Sequence, residues 1–340
     1  MNLSKELEKI GIIPKDKLKI EEKNYIAKTI ADKLSTNIYE LCDSYNEIYM
    51  RIFNCEMYYA SVDKKFYGVF YFYKNNTIYI DSIKNIYNVD SYMIHEAIHY
   101  LQNFSKIKDE SKRAGLCQFM DFKISGLGIN EAIVQYITAK AEENKIHRIS
   151  NENITICTNS DYYYKYMTSL ASQILFLMGE KEAIESCINS TDNFENELYN
   201  TFEENTEKIL KGFDTILDEN NKYDRSEEKI INTYLQTQEL IYKAYFSNMC
   251  KRVETIKEVD AQVQKLEDYK KIVGKLLNIS TDEDKFNAFK KEMDSKFFNK
   301  YIQINRKQSK NSLTVVYKNL AYNLWNKIYE FIQRKIIKIK

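Results

Sequence analysis

The chain has 340 residues, 44% of them hydrophobic, so it is long enough for one large domain or two ordinary ones. A formal net charge of +1 argues neither for nor against a nucleic-acid partner, and six scattered cysteines without a CxxC spacing argue against a disulfide framework. With one proline (Pro14) and eight glycines, the composition suits a mostly helical protein. The stretch from Met1 to Ile20 carries charges of both signs and lacks the apolar core of a signal peptide, and no run approaches the roughly 18 apolar residues of a membrane span. The expectation is a cytoplasmic chain with reduced thiols, leaderless export being the alternative. Charge is unevenly spread: Thr191 to Ile230 holds 12 acidic and 5 basic residues, a balance of −7, whereas Tyr301 to Lys340 holds 9 basic and 1 acidic, a balance of +8.

From Glu21 to about Asn54, Ile26, Ile30, Leu34, Ile38, Leu41, Tyr45 and Ile48 recur every three or four residues, which predicts one long amphipathic helix or two in series. The pattern then changes to aromatic and β-branched runs, Met57 to Val62, Phe66 to Tyr73 and Thr77 to Ile83. Turn material at Asp63-Lys64-Lys65 and Lys74-Asn75-Asn76 separates them, so a three-stranded antiparallel meander is expected over about 57–83, with Thr77 to Ile83 as an edge able to pair with an extended peptide. Asp90 is placed to cap a helix over about 90–104, and a further helix is expected at about Asp109 to Lys123. Ser125-Gly126-Leu127-Gly128 breaks the chain before another helix, about 129–143. Beyond Asp161 the periodicity is helical almost to the end, with breaks near Asn189–Asp192, Asn220–Asp224, Ser280–Asp284 and Gln308–Asn311.

The helix over 90–104 carries His95-Glu96-Ala97-Ile98-His99, which uses two of only three histidines. Residues four apart share a helix face, so both imidazoles can address one metal ion, with Glu96 beside them to take a proton from water. A catalytic zinc ion usually takes a third protein ligand. His147, in a polar stretch, does not complete an HExxHxxGxxH pattern; Glu131 is the better candidate, because it follows a glycine turn near the start of a helix that can pack antiparallel to the motif helix.

Here the chain resembles the gluzincin metallopeptidases, in which HExxH is followed by a separate helix bearing Asn-Glu. The separation of His99 from Glu131 is longer than in thermolysin and closer to that of lethal-factor or clostridial-neurotoxin light chains. Asn130-Glu131-Ala132-Ile133, Tyr162-Tyr163-Tyr164 and Leu175-Phe176-Leu177-Met178-Gly179-Glu180 look most like low-GC bacterial members of that clan. The resemblance runs from about Phe66 to Phe202. It implies a zincin-like α+β domain over 1–204 and a zinc-dependent peptidase. His95, His99 and Glu131 would be its metal ligands and Glu96 its general base, with a protein or peptide as substrate. Gluzincins of this kind often place a carboxylate four residues after the ligand glutamate, to receive an imidazole N–H. Here that position is Gln135, a neutral and weaker partner.

A donor for the developing oxyanion is also needed. His147, Tyr162, Tyr163, Tyr164 and Tyr166 are candidates, with Tyr163 and Tyr166 preferred because the tyrosine run precedes a helix. Residues 205–340 read as a helical C-terminal region. Its last helix sets Trp325, Ile328, Ile332 and Ile336 on one face, with Arg334, Lys335, Lys338 and Lys340 near its end. Core packing with a solvated basic edge is the simpler account of that stripe, and contact with an anionic membrane surface or with nucleic acid the alternative, nucleic acid being the less expected partner. The fold class expected is predominantly helical α+β, and the cofactor expected is Zn2+. The competing functional reading is a weak or inactive zincin-fold protein that acts through its helical C-terminal half as an interaction module.

Overall fold

The computed structural model describes residues 3–41, 43–104, 113–120, 123–151, 153–161, 164–277 and 284–309. The fold is predominantly helical α+β, as the sequence predicts. Two compact units are distinguished, Met1–Tyr245 with Asp268–Asp284, and Phe246–Glu267 with Lys285–Lys340.

The first unit opens with α1 (Leu3–Ile10), β1 (Ile12–Lys17), α2 (Ile20–Asn37) and α3 (Tyr45–Phe53). The long periodic stretch is therefore two helices in series. Helix α3 starts at a reciprocal cap: Ser44 Oγ accepts from the Glu47 N–H while Glu47 Oε2 accepts from the Ser44 N–H. Strands β2 (Glu56–Val62), β3 (Val69–Phe72) and β4 (Thr77–Asp81) match the three expected runs, but they do not form a meander. The sheet order is β1-β2-β4-β3, with β4 inserted parallel to β2 and antiparallel to β3. Thr77, Ile78, Tyr79 and Ile80 are consecutively buried, as a strand covered on both faces must be. The edge is thus β3, and the expectation that Thr77 to Ile83 forms it is corrected. Strand lengths and turn residues leave the pairing partner open; burial of a continuous apolar run decides it.

Helix α4 (Ser91–Phe104) carries the HExxH motif, and its Met93 N–H donates to Asp90 Oδ1, the expected cap. The helix expected at 109–123 is replaced, over its described part, by β5 (Arg113–Ala114), β6 (Cys117–Met120) and the start of β7 (Lys123–Ser125), a small antiparallel sheet. Gly115, in the turn between β5 and β6, has φ +56, a left-handed conformation that interrupts a helix. Helix α5 (Leu127–Ala141) is the central rod, with Ile129, Ala132, Ile133, Val134, Tyr136, Ile137 and Ala139 all buried. A helix buried nearly all round lacks a polar face and must be surrounded. Strands β8 (His147–Ser150) and β9 (Ile154–Thr158), not anticipated from the sequence, lead into α6 (Lys165–Met178).

Helices α7 (Lys181–Asn189), α8 (Asn193–Phe202) and α9 (Thr206–Asn220) follow, with the expected breaks between α7 and α8 and after α9. Residues 205–245 belong to the first unit, where the sequence reading put them in the C-terminal region. Asp214 of α9 accepts from the Gly128 N–H at the start of α5. A Cβ on Gly128 would lie 2.4 Å from the Phe213 carbonyl carbon, so the two backbones meet there without a side chain between them. Helix α10 (Glu227–Arg252), α11 (Ile256–Tyr269) and β10 (Lys275–Leu276), which pairs with β9, continue the chain. The second unit has its own core, including Phe246, Val259, Leu266, Phe289, Met293 and Phe297, with α12 (Lys285–Ser309) as its main described helix. Among the described residues no helix is long and apolar enough to cross a membrane. The basic helix bearing Trp325 and Ile336 lies outside them.

Candidate metal centre

The site is made by α4 and α5. On α4, His95 and His99 are one turn apart, and their Nε2 atoms face each other at 3.1 Å. Glu131, early on α5, completes the group: its Oε2 lies 3.2 Å from His95 Nε2 and its Oε1 3.3 Å from His99 Nε2. Among the described residues these three are the group of His, Cys, Asp or Glu side chains that could hold a metal ion. The spacing fits one. A tetrahedral ion with bonds of about 2.0–2.1 Å has ligand–ligand edges of about 3.3 Å. His95 is buried, and His99 and Glu131 are half-buried.

Each imidazole is anchored through its far nitrogen by a neutral amide. His95 Nδ1 lies 3.1 Å from Gln135 Oε1, and Gln135 Nε2 donates in turn to Ser160 Oγ. Gln135 is therefore buried against His95. His99 Nδ1 lies 3.0 Å from Oε1 of Gln102, three residues further along α4. The sequence reading passed over Gln102; its signal was the i, i+3 spacing from His99, which puts both on one helix face.

Protonation follows from this crowding. Burial pushes the His99 imidazolium down, but the adjacent Glu131 carboxylate more than offsets it and holds His99 well above the ordinary histidine range. Burial likewise disfavours the Glu131 carboxylate, and the two histidines overcome it, holding Glu131 well below the ordinary range. Glu96 moves the other way: burial raises its carboxyl, against the pull of His99, His95 and a hydrogen bond from the Tyr71 N–H. That bond, 2.9 Å to Glu96 Oε2, ties the edge strand β3 to the candidate base.

The remaining sequence candidates are separated by the fold. Tyr162 and Tyr163 lie outside the described residues. Tyr164, at φ +54 just ahead of α6, sets its ring 6.4 Å from that of His95. Tyr166 is buried, and its hydroxyl is committed to Glu227 and Asn151 rather than to the ligand group. His147, on β8, pairs with Asp161 at 2.9 Å and takes no part in the ligand group. No protein-family model, curated protein or solved structure matches the chain.

Proposed function

We propose that this protein is a zinc-dependent peptidase of gluzincin type, with His95, His99 and Glu131 as the metal ligands and Glu96 as general base. The observation that carries the reading is the convergence of two Nε2 atoms and a carboxylate at separations matching a tetrahedron's edges, beside a carboxylate that is not part of the group. Zinc supplies Lewis acidity there, making an attacking water acidic near neutral pH and polarising the scissile carbonyl.

The chain's own groups account for the rest. Glu96 Oε2 is occupied by the Tyr71 N–H, which leaves Oε1 to take the water proton and return it to the leaving amine. Its raised carboxyl brings it nearer to the proton affinity a base working near neutral pH requires. The edge of β3 offers backbone groups to an extended peptide, so the strand that orients Glu96 also aligns the substrate. Tyr164, whose ring lies 6.4 Å from that of His95, is the described candidate for a donor to the oxygen that gains negative charge.

The test is zinc content and peptide hydrolysis in wild type, Glu131→Ala and Glu96→Gln. Stoichiometric zinc that is lost in Glu131→Ala but kept in Glu96→Gln, with hydrolysis lost in both, supports the reading. A folded wild type that neither holds nor takes up zinc sinks it.

A further inference from the structure

Behind His99 lies a chain of hydrogen bonds whose direction is set at its far end. The Leu116 backbone N–H, which can only donate, bonds Asn130 Oδ1 at 2.9 Å. Asn130 is therefore fixed with its carbonyl toward Leu116. The same Oδ1 accepts from Gln102 Nε2 at 2.9 Å, which fixes Gln102 with its amino group toward Asn130 and its carbonyl Oε1 toward His99 Nδ1. An amide oxygen only accepts, so Nδ1 must carry a proton, and in the neutral ring it is Nε2 that turns its lone pair to His95 and Glu131.

Two further features protect the arrangement. Gln102 and Asn130 are both buried, so neither amide can exchange its partners for water. Gly115, next to Leu116, leaves the space they need: a Cβ there would lie 2.2 Å from Asn130 Oδ1 and 2.4 Å from Gln102 Nε2. The relay also bridges the two ligand helices, since Gln102 follows His99 by three residues on α4 and Asn130 directly precedes Glu131 on α5.

We propose that Gln102 is a positioning residue of the metal centre, which relays the direction of the Leu116 N–H through Asn130 to hold His99 as the Nδ1–H tautomer with Nε2 facing the metal. The proposal rests on the metal-centre reading above. Asn130 touches neither imidazole among its hydrogen bonds, yet it governs one of them. On the His95 side the corresponding amide donates to the Ser160 hydroxyl, a group that can itself donate or accept.

The experiment measures zinc affinity by competition with a chromophoric chelator for wild type, Gln102→Leu, Asn130→Leu and Asn130→Asp. Melting in excess chelator reports on the fold of each. Gln102→Leu is expected to bind zinc about 10–100-fold more weakly, the loss typical when an imidazole's supporting partner is removed. Asn130→Leu is expected to weaken binding as well. Asn130→Asp keeps an acceptor for both Leu116 and Gln102 but loses the long donation from Asn130 Nδ2 to Gln102 Oε1, 3.4 Å, and is expected to bind zinc more tightly than Asn130→Leu. Should Gln102→Leu and Asn130→Leu bind as wild type does, the relay is overturned while the metal centre stands. In the zinc-loaded wild type, nitrogen-15 NMR of the histidine ring is expected to find His99 Nδ1 protonated and Nε2 ligated. Ligation through Nδ1 overturns the proposal without reference to any variant. A wild type that takes up no zinc overturns the metal-centre reading, and the relay's role with it.

Discussion

Two buried polar clusters in the first unit differ in one respect that separates structure from chemistry. In the first, Tyr234 Oη meets Ser169 Oγ, accepts from Gln173 Nε2 and donates to Gln238 Oε1. Gln238 closes a pair of hydrogen bonds with the Gly274 backbone, and Tyr269 donates to Gln173 Oε1. Each of these polar side-chain atoms has a hydrogen-bond partner within the cluster. In the second cluster, His95 and His99 engage Gln135 and Gln102 through Nδ1 and turn their Nε2 atoms toward each other and toward a carboxylate. Converging acceptors in a partly dry site repel unless a proton or a cation sits among them. Buried polar residues alone mark neither cluster as functional; the balance of donors and acceptors does.

Glu96→Gln sharpens this contrast most. It is expected to lower kcat/KM by about 10²–10⁴-fold, the usual worth of a general base, with zinc content unchanged. Equal loss of zinc would instead make Glu96 a structural partner of the site.

Zinc at a hundredfold excess over its Kd should stabilise wild type by about 2.7 kcal/mol and Glu131→Ala by far less, measured by thermal melting. Tyr234→Phe should behave oppositely. It removes hydrogen bonds from the balanced cluster, costs about 1–3 kcal/mol with or without zinc, and leaves zinc affinity unchanged. A change in zinc affinity there would break the distinction between the two clusters.

The smallest effect is one of pH. In the metal-free protein the His99 imidazole is raised from 6.5 to about 9, so its contribution to stability is fully present below pH 6.5 and fades as pH rises through about 9. Zinc replaces that proton, and uptake is opposed by it. The gain in melting temperature on adding zinc should therefore widen from pH 6.5 to about 9. A gain that is flat over this range would mean that His99 is already neutral in the metal-free protein.

Much of the centre was legible in the chain itself. His95, Glu96 and His99 were placed by helical spacing, Asp90 by its position ahead of the helix, and Glu131 by its glycine turn. Each depends on neighbours within a few residues. Gln102 and the Tyr71 N–H were not singled out, and Tyr164 was named but passed over for Tyr163 and Tyr166, because the Tyr71 and Tyr164 contacts join separate elements and the orientation of Gln102 is set from α5. The helix expected at 109–123 failed for a related reason. Its residues support more than one local structure, and the described part is decided by pairing of β6 with β5 and β7.

By itself the sequence determined the predominantly helical α+β class, the amphipathic helical periodicity of 21–54, and the pair of imidazoles on one face of α4. All of these follow from periodicity along the backbone. Only the tertiary structure decided that β4 lies inside the sheet and β3 at its edge, that α9 packs against the start of α5, and that Leu116 reaches His99 through two amides. Those outcomes depend on which buried surfaces and which donors meet across long stretches of chain. No repeat of three or four residues encodes such meetings.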